Sequence, residues 1–375
     1  MARVAVLHNT LDLQGGADVV CLSTCAALQD DHDVTLYTLS TTDPAALAER
    51  FDIGLDPAGL SVRSPRGGST AARALSAATP VFGPQLPFRT VLVRAIFERE
   101  ADRYDLAVST ANEVSLSLPS VQYVHYPQFR GHRSGEADGD GDAGRLNRLW
   151  SRLAAPTDGD LKSTTLLANS AWTAGVVERR YGVEPTVVHP PVAPIEGGRP
   201  WQERENGIVV VGRLAPDKRI LDAVEIVDGL RDRGHDVHLH VVGAAPPAYR
   251  QYVRRVESAA GERSYVAVET DVPRSRIEEL LRTHRYGLNC KPDEHFGLSV
   301  AEYVAGGMIA FAPDGGGQRD VLDGRDDRLF AGTSEAIDLV SAAIEEGHRP
   351  RLATDRFAPE RFRDALGSAV ERALH

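Results

Sequence analysis

The stretch "GIVVVGRLAPDKRILDAVEIVDGLRDRG", residues 207–234, contains the pattern that sets the fold. Its first part, "GIVVVGRL", is a short run rich in β-branched residues, which is typical of a buried strand. Its second part, "RILDAVEIVDGLRDRG", repeats apolar residues at helical spacing and ends at a glycine, which predicts a helix. A buried strand followed directly by a helix is the building unit of a parallel α/β sheet.

The same alternation runs along most of the chain. Further strands are predicted at "RVAVLH", "DVTLYTL", "DRYDLAVST", "SVQYVHYP", "TTLLANS" and "PTVVHPP" before this stretch, and at "HLHVVGA", "YVAVET", "YGLNCK", "MIAFAP" and "RLFAG" after it. Helical patterns lie between them, and the helix in "SAWTAGVVERRYG" is predicted to begin at the N-cap Ser170 and end at Gly182. We therefore predict an α/β fold of two doubly wound, Rossmann-like domains that face each other across a cleft.

One interruption divides the chain into domains. The stretch "APIEGGRPWQERENG", residues 193–207, is rich in proline, glycine and charge and has no periodicity, so it is predicted to be a linker. Residues 1–192 then form an N-terminal domain and residues 208–357 a C-terminal domain. The last helix, residues 358–375, is expected to pack back on the N-terminal domain.

Composition narrows the class of protein. The 375 residues carry a formal net charge of −11, which does not favour a nucleic-acid partner. Lysine occurs only at positions 162, 218 and 291, and all other basic residues are arginine. Few lysines and an excess of acid fit a salt-adapted, halophilic source, so the acidity is interpreted as solubility in salt rather than as an acidic binding surface.

Cysteine usage and hydropathy suggest the compartment. Cys21, Cys25 and Cys290 make neither a disulfide framework nor a spaced metal set, and are interpreted as small buried residues. The N-terminus opens straight into a strand without a signal-peptide pattern, and no apolar run approaches the roughly 18 residues of a spanning helix. We expect a cytoplasmic protein, either free or peripheral on the cytoplasmic face of a membrane.

A segment rich in glycine and aspartate, residues 130–145, interrupts the N-terminal domain. It is predicted to be either a lid or a disordered surface loop. Aspartates alternate in it, which is one feature of a calcium loop, but Ala143 and Leu149 stand where that loop needs glycine and glutamate. No metal site is therefore predicted from the alternating Asp138, Asp140 and Asp142.

The loop after the first strand is the first candidate for ligand binding, because ligands of doubly wound sheets lie at the carboxyl ends of strands. Gly15 and Gly16 open a helix there, so the backbone can approach a phosphate at the positive end of the helix dipole. The pattern is not G-x-G-x-x-G, which weakens a dinucleotide interpretation. A tight turn is the alternative explanation for the two glycines.

Cations and a histidine follow two other predicted strands. Arg213 and Lys218 share a strand-to-helix loop and suit a diphosphate, although two solvated cations are the ordinary alternative. A lysine in a chain that otherwise uses arginine favours the binding role. His125 in "YVHYP" ends a strand, and Pro127 forces an extended exit from it. A lone histidine is more often structural, but this position favours a place in the cleft.

The motif "EHFGLSVAE" carries two carboxylates, Glu294 and Glu302. Gly297 predicts that a helix begins inside the motif, with Glu294 in the preceding loop and Glu302 on the helix. Free backbone N–H groups at positions 297–299 offer a site for an anion. If a nucleotide lies along this helix, Glu302 reaches its ribose diol and Glu294 the transferred group. The loop "PDGGGQRD", residues 313–320, adds open backbone beside it.

Taken together, these motifs resemble glycosyltransferase family 4, whose members are retaining enzymes with the GT-B fold. The resemblance rests on E-x7-E with an internal "FG", on "GR" followed after four residues by Lys218, and on the N-terminal Gly-Gly loop. The stretches "GGADVVCLSTCAAL", "YVHYP", "NSAWT", "HPPV" and "EHFGLSVAEYVAGGMIAF" resemble more closely the dolichol-linked oligosaccharide α-1,2-mannosyltransferases that use GDP-mannose. The N-terminal domain is then the acceptor side and the C-terminal domain the donor side.

The resemblance implies roles for individual residues. Arg213 and Lys218 would bind the donor diphosphate and stabilise the departing nucleotide, Glu294 would contact the donor sugar, and Glu302 the ribose. Gly16 would offer its amide to the phosphates, and His125 would lie near the sugar C6 or the reacting centre. The implied catalytic residues are Glu294, His125, Arg213 and Lys218, and the implied donor-binding residues are Gly15, Gly16, Arg213, Lys218, Glu294, Phe296, Gly297, Leu298, Ser299 and Glu302.

The resemblance also implies the chemistry. A hexose, mannose by the closer match, would move from GDP-mannose or a UDP-sugar to a glycan acceptor, which is polyprenyl- or dolichol-linked in the closer relatives. No metal and no cofactor are expected, since fixed cations and helix dipoles can stabilise the leaving diphosphate. Retention without an enzymic nucleophile implies front-face attack. One departure is Arg219, because the family usually has glycine after the lysine.

Alternatives remain at this point. Residues 61–97 combine arginines with apolar side chains, which predicts either docking on anionic lipid or ordinary helices and a loop. The rival functions are a sugar-nucleotide epimerase of the same fold and a nucleotide-sugar-binding protein without turnover. The apolar side chains concerned are Leu75, Val81, Phe82, Leu86, Phe88 and Leu92.

Overall fold

The computed structural model describes residues 1–64, 86–127, 164–350 and 352–375, with a few single positions between 70 and 161. The chain divides into two compact units. Unit 1 comprises Met1–Pro191 and Pro359–His375, and unit 2 comprises Val192–Ala358. The acidic segment at residues 130–145, predicted as a lid or a disordered loop, lies outside the described residues.

Each unit is built on one parallel sheet. The strands of unit 1 are β1 (Arg3–His8), β2 (Asp33–Thr38), β3 (Leu60–Arg63), β4 (Leu106–Ser109), β5 (Ser120–Val124), β6 (Thr164–Ala168) and β7 (Thr186–Val187). Those of unit 2 are β8 (Glu205–Val211), β9 (His238–Gly243), β10 (Val266–Thr270), β11 (His284–Leu288), β12 (Ile309–Pro313) and β13 (Leu329–Phe330). Every predicted strand is present. The orders are β3-β2-β1-β4-β5-β6-β7 and β10-β9-β8-β11-β12-β13.

Helices connect the strands. The described α-helices are α1 (Gly16–Gln29), α2 (Pro44–Arg50), α3 (Leu86–Phe97), α4 (Ala171–Tyr181), α5 (Ile220–Asp232), α6 (Arg250–Gly261), α7 (Arg274–Thr283), α8 (Leu298–Ala305), α9 (Gln318–Val321), α10 (Thr333–Glu345) and α11 (Pro359–Leu374). The predicted caps of α4 are confirmed, because Ser170 Oγ accepts a hydrogen bond from Thr173 N and Gly182 ends the helix in the left-handed conformation, at φ 70°.

Side chains that alternate along the strands supply separate cores on the two faces of each sheet. In β8, Ile208 and Val210 pack into one core, and Val209 packs into the other. In β1, Val4 and Ala5 are divided between two cores in the same way. Both faces of each sheet are therefore covered, which explains why these strands appear in the sequence as unbroken apolar runs. The prediction of two doubly wound α/β domains is confirmed at the level of the separate sheets.

The segment predicted as a linker, residues 193–207, lies within unit 2. Strand β8 begins inside it, at Glu205. Trp201 packs edge-on against Tyr286, with ring centroids 6.2 Å apart. The buried Arg204 donates hydrogen bonds from Nη1 to two backbone carbonyls at the end of α7 and the start of β11. Proline, glycine and charge in this segment therefore belong to the edge of a packed unit.

The C-terminal helix α11 returns to unit 1. Its side chains Phe362 and Leu366 are buried in the same core as Val20 and Leu28 of α1. This core also receives Val6 of β1. The chain therefore contributes its first and last helices to one hydrophobic core, which contains residues nearly as far apart in sequence as the chain allows.

The stretch predicted either to dock on lipid or to form ordinary elements, residues 61–97, begins in β3 and ends in α3. Strand β3 was not predicted, because it is a four-residue edge strand with mostly exposed side chains. In α3, Phe97 is fully buried and the buried Arg89 donates from Nη1 to Leu39 O over 2.8 Å. Three of the apolar residues named for this stretch, Leu75, Val81 and Phe82, lie outside the described residues. Among the described helices, none has the length and hydropathy to cross a bilayer.

Candidate functional site

The two sheets share the strand order that creates a topological switch point. In unit 1 the chain leaves β1 towards β2 on one side and later continues with β4 on the other. In unit 2 the same change of direction separates β8 from β11. Loops at the carboxyl ends of such strand pairs leave a crevice in which ligands bind. The candidate residues lie in these loops, in those of adjacent strands or on the helices that follow them.

Lys218 and Glu294 meet at the switch point of unit 2. Lys218 ends a short turn after β8, and Glu294 lies in the loop after β11. The Lys218 Nζ atom is 2.5 Å from Glu294 Oε2, and the two side chains are 18% and 16% exposed. The pair is separated by 76 residues in sequence, so it is the sheet order that brings it together. Of the predicted catalytic residues, these two are joined directly.

Further charges surround this pair. The Lys291 Nζ atom lies 3.6 Å from Glu294 Oε1 and 3.6 Å from Asp217 Oδ2. The Arg213 Nη2 atom lies 3.5 Å from Asp217 Oδ2, and about half of the Arg213 side chain is exposed. Three cations thus face two carboxylates, in a chain whose net charge is −11. We call this set, Arg213, Asp217, Lys218, Lys291 and Glu294, the cation cluster; its excess of positive charge suits an anionic ligand.

Electrostatics fixes the protonation state of Glu294. Burial acts to raise the pKa of its carboxyl group, but the charges of Lys218 and Lys291 and the hydrogen bond from Lys218 outweigh burial and lower the pKa to about 2. Glu294 is therefore ionised at neutral pH. It can accept hydrogen bonds from a ligand and hold Lys218 in place, but it is a poor proton donor.

The glycine loop after β12 holds Glu294 from the other side. Gly317 N donates to Glu294 O over 2.7 Å. Gly316 has φ 70°, and a Cβ atom there would lie 2.3 Å from Glu294 O, so only glycine fits. The fully buried Gln318 accepts from Asn289 Nδ2 over 2.7 Å and donates to the last carbonyl of β12. These contacts tie the loop after β11 to the loop after β12.

Helix α8 begins at Leu298, after Gly297 at φ 94°. The prediction that Glu294 precedes the helix and Glu302 lies on it is confirmed. The two glutamates have different partners, because Glu302 Oε1 lies 2.6 Å from Arg274 Nη1 on α7. Burial acts to lower the pKa of Arg274, but the carboxylates of Glu302 and Glu278 together outweigh burial and raise the pKa. Sequence patterns gave no sign of Arg274, since no motif includes it.

Three more predicted donor-binding residues lie at the start of α8. Leu298 and Ser299 are partly exposed in its first turn, where backbone N–H groups have no partner within the helix. The Phe296 side chain is 4% exposed and packs edge-on against Phe357, with centroids 5.5 Å apart. The Phe296 ring is therefore part of the hydrophobic core of unit 2, and its contribution to the loop is structural.

Arg219 takes the backbone conformation that glycine prefers. Its φ and ψ are 49° and 42°, in the left-handed region, and it caps α5. Its side chain reaches Asp222, with Nη2 2.5 Å from Oδ2. The loop after Lys218 thus keeps a shape that suits glycine at the position where the resemblance expects one. An arginine in this conformation is strained by roughly 1–2 kcal/mol.

In unit 1, the Gly-Gly loop rests on Asp18. Gly15 N donates to Asp18 Oδ2 over 3.0 Å, and α1 begins at Gly16. Among the described residues, a Cβ atom on Gly15 would meet only Leu13 O, at 4.0 Å, so the packing of these residues does not require glycine there. This leaves room for a ligand to approach the backbone. The other carboxylate oxygen, Asp18 Oδ1, is 2.9 Å from His8 Nε2, a partner that no motif had indicated.

The hydrogen bonds of His8 fit a charged imidazolium. Its Nε2 faces the Asp18 carboxylate, and its Nδ1 lies 3.0 Å from Thr110 Oγ1. The Thr110 hydroxyl lies 3.3 Å from Leu7 O, and when it donates to that carbonyl it accepts from Nδ1, so that both ring nitrogens donate. Burial acts to lower the pKa of His8, but Cys21 and Asp18 raise it to about 10. The switch point of unit 1 therefore contains a buried ion pair.

His125 follows β5 in unit 1 and is partly buried. Its backbone N donates to Asn112 Oδ1 over 2.7 Å, and its carbonyl accepts from Asn169 Nδ2 over 3.0 Å. Its Nε2 lies 3.2 Å from Thr110 O, which can only accept, so Nε2 carries a proton. The loops after β4 and β6 thus hold this histidine at the carboxyl edge of the sheet.

The sequence of unit 2 matches a known family. Residues 195–350 match the model of "Glycosyl transferases group 1". A GDP-Man:Man(3)GlcNAc(2)-PP-Dol alpha-1,2-mannosyltransferase of Neurospora crassa is 26% identical over 285 residues, which cover 62% of this chain and 51% of that protein. A protein of the same name from Dictyostelium discoideum is 24% identical over 230 residues, covering 53% and 45%. The chain spans about half the length of these relatives.

Solved structures show the same fold. The Anabaena protein HepE, in complex with UDP and glucose, has a TM-score of 0.67 at 14% identity and covers 99% of this chain and 100% of its own. WaaG, a glycosyltransferase involved in lipopolysaccharide biosynthesis, has a TM-score of 0.62 at 16% identity, with 99% and 98% covered. The predicted GT-B fold is confirmed. Residues 195–350 are therefore similar to glycosyl transferases group 1, and the chain as a whole has the GT-B fold.

Proposed function

We propose that the chain is a retaining glycosyltransferase that transfers a hexose, mannose from GDP-mannose, to a glycan acceptor carried on a polyprenyl lipid. The observation that carries this proposal is the cation cluster at the switch point of unit 2, inside the segment that matches the family model. The names of the curated relatives support the choice of GDP-mannose and of a lipid-linked acceptor. Because the chain spans half of those relatives, donor and acceptor need direct assay.

In this proposal the cation cluster binds the donor diphosphate. Lys218, Lys291 and Arg213 supply positive charge that is in place before the reaction, so the charge developing on the leaving nucleotide is stabilised without rearrangement. Asp217 and Glu294 hold these cations apart at fixed positions. The first-turn N–H groups of α8 add donors for an anion in the same unit.

Glu294 has a second role in the proposal. Its low pKa makes it a permanent acceptor, which orients the donor sugar through the sugar hydroxyl groups. Glu302, held by Arg274, accepts hydrogen bonds from the ribose hydroxyls. In unit 1, the amides of the Gly-Gly loop and the side chain of His125 supply further polar contacts to the substrates.

The proposed reaction proceeds with retention of configuration. The bond between the anomeric carbon and the phosphate oxygen breaks, and the acceptor oxygen attacks the same face of the sugar. The acceptor proton passes to the leaving phosphate, so no protein carboxylic acid is needed. Transfer without a catalytic metal is part of the proposal, because fixed cations can provide the charge that a metal ion provides in other transferases.

If the acceptor is lipid-linked, the protein must also contact the membrane surface that carries it. The chain would work as a peripheral protein on the cytoplasmic face of the membrane, with the arginines and apolar residues at 61–97 near anionic lipid. Co-sedimentation with anionic vesicles measures this contact. Equal recovery in the supernatant with and without vesicles would contradict it and leave the transferase assignment intact.

A donor panel tests the proposed function. The full chain is incubated in high salt with GDP-mannose, UDP-glucose or UDP-N-acetylglucosamine, with and without a polyprenyl-linked glycan extract, and released nucleotide is measured. We expect release of GDP from GDP-mannose that depends on the extract and is lost in Lys218→Ala. Tight binding of a donor without release of nucleotide would support the binding-protein or the epimerase alternative.

A further inference from the structure

A second cluster of polar side chains lies at the opposite edge of the sheet of unit 2. His238 is the first residue of β9 and His284 the first residue of β11, so both lie at the amino ends of their strands. His240 follows two residues after His238 and therefore projects on the same face. The potential ligand atoms of these three histidines lie within 4.8 Å of one another. We call them the histidine cluster.

A glycine on the intervening strand makes room for this cluster. Strand β8 lies between β9 and β11, and its residue Gly207 is the register partner of His238. A Cβ atom on Gly207 would lie 2.4 Å from His238 Nε2 and 2.5 Å from His284 Cδ2. Any side chain there would displace the two rings. The missing side chain on β8 is thus what allows the histidines of its two neighbours to meet.

The distances among three of the donor atoms, those of His238, His284 and Glu205, are close to those of metal coordination. His238 Nε2 and His284 Nε2 are 3.1 Å apart. Two nitrogens that bind one tetrahedral Zn²⁺ at about 2.0–2.1 Å are separated by about 3.3 Å. A carboxylate oxygen, Glu205 Oε2, lies 3.6 Å from the first nitrogen and 3.7 Å from the second. Three imidazoles and one carboxylate make a set of four donors.

Hydrogen bonds orient two of the rings for this role. His284 Nδ1 lies 3.0 Å from Leu280 O, which can only accept, so Nδ1 carries the proton and Nε2 presents its lone pair. His240 Nδ1 lies 3.2 Å from Glu269 Oε1 and donates to it, which leaves the other ring nitrogen as the ligand. Glu269 is itself fixed by Arg276, whose Nε is 2.8 Å away. Metal-binding histidines are typically held by such carbonyl and carboxylate partners.

The exposure of these side chains also suits a ligand. His284 is buried, whereas the side chains of His238 and Glu205 are 33% and 48% exposed. A metal ion can therefore enter from solvent on the side of His238 and Glu205.

We propose that unit 2 binds one divalent first-row transition metal ion, Zn²⁺ in the test below, through His238, His240, His284 and Glu205. Imidazole with one carboxylate is a donor set that suits Zn²⁺ rather than Mg²⁺ or Ca²⁺. This proposed site is separate from the proposed transfer reaction, for which no metal ion is expected. It lies at the amino edge of the sheet, whereas the cation cluster follows the carboxyl ends, so the ion would join three strands and take no part in transfer.

The test uses the full, untagged chain after treatment with EDTA and dialysis. Competition with a chromophoric chelator measures Zn²⁺ binding, Co²⁺ reports geometry through its visible spectrum, and thermal melts measure stability. We expect one Zn²⁺ per chain, a tetrahedral Co²⁺ spectrum, and a melting temperature that rises with Zn²⁺, because an ion that binds the folded state stabilises it. Absence of saturable binding by the wild-type chain overturns the proposal.

Variants locate the site. The double variant His238→Gln/His240→Gln should lose stoichiometric binding, and Glu205→Gln, at a half-exposed position, should weaken binding at least tenfold. The control is His235→Gln, which removes a histidine near Glu345 that is not part of the cluster. Melts in EDTA show whether each variant folds. Unchanged Zn²⁺ affinity in both test variants, or equal loss in the control, would contradict the assignment.

Discussion

The switch points of the two sheets carry ion pairs of different character. In unit 1, His8 and Asp18 lie 2.9 Å apart, and their side chains are 4% and 2% exposed. In unit 2, Lys218 and Glu294 lie 2.5 Å apart, are 18% and 16% exposed, and have Lys291 beside them. The enclosed pair shapes the Gly-Gly loop, whereas the accessible pair carries surplus positive charge for a ligand. The same strand order thus supports a structural pair in one unit and a proposed binding site in the other.

The largest expected effect is on turnover in unit 2. Lys218→Ala should lower kcat/KM for nucleotide release by about a hundredfold or more, because it removes a preorganised charge from the leaving group. Lys291 remains 3.6 Å from Glu294, so the variant should still fold. The measurement is steady-state nucleotide release together with circular dichroism.

A matched control separates this effect from general charge loss. Arg233 pairs with Asp338 on the surface of the same unit, with side chains 42% and 61% exposed. Arg233→Ala should leave turnover within about twofold, since exposed ion pairs contribute little. Equal rates for Lys218→Ala and Arg233→Ala would show that the cation cluster does not serve the reaction.

The second prediction concerns the enclosed pair of unit 1. The pKa of His8 is about 10 in the folded protein and 6.5 as its ordinary value, so its contribution to stability is full below pH 6.5 and is lost as pH rises through 10. Asp18→Asn should cost about 3 kcal/mol or more at pH 7, because it leaves a buried partner without its counter-charge. Urea unfolding from pH 6 to pH 10 measures both. An alkaline loss of stability as large in Asp18→Asn as in the wild type would contradict the pairing.

The accessible pair of unit 2, Lys218 and Glu294, should affect the stability of the protein at low pH. The pKa of Glu294 is about 2 in the folded protein against 4.5 as its ordinary value, so its contribution is present above pH 4.5 and is lost as pH falls through 2. Glu294→Gln should therefore flatten the acid limb of the stability profile and leave the alkaline limb unchanged. An acid limb identical to that of the wild type would remove the basis for an ionised Glu294.

The smallest expected effect is on the stability of variants at Arg219, which follows Lys218 in the chain. Arg219 is in the left-handed region, where glycine carries no steric cost. Arg219→Gly should therefore be more stable than Arg219→Ala by about 1 kcal/mol, since both lose the contact to Asp222 and only alanine keeps the strain. Urea unfolding of the two variants measures the difference. Greater stability of the alanine variant would show that the loop does not have this backbone shape.

Local patterns predicted much of the fold, because buried parallel strands are continuous apolar runs and glycine marks helix ends. Gly182 and Gly297 both gave correct helix boundaries. The edge strand β3 was missed because exposed side chains remove the apolar signal. The segment 193–207 was predicted as a linker on composition, which does not reveal that Trp201 and Arg204 pack into unit 2.

The sequence likewise predicted some residues of the candidate sites and missed others. Motif spacing predicted Lys218 and Glu294 as site residues, and the structure places them together. Lys291 was visible as a rare lysine after a strand, yet no motif assigned it a role. The partnership of His8 with Asp18 joins the end of β1 to the helix that follows it, and no motif includes it. The histidine cluster depends on contacts between strands, and one glycine, Gly207, makes room for it. Such contacts follow from sheet order and register, which a single sequence does not specify.

The central claim is that the cation cluster of unit 2 holds a nucleoside diphosphate. Titration calorimetry of GDP into the wild-type chain and into Lys218→Ala, in buffer containing EDTA, tests it most directly. We predict saturable binding of one GDP per chain by the wild type and at least tenfold weaker binding by Lys218→Ala, with Arg233→Ala unchanged. Equal affinity of GDP for the wild type and Lys218→Ala, or no binding of GDP and UDP by the wild type, would contradict the account.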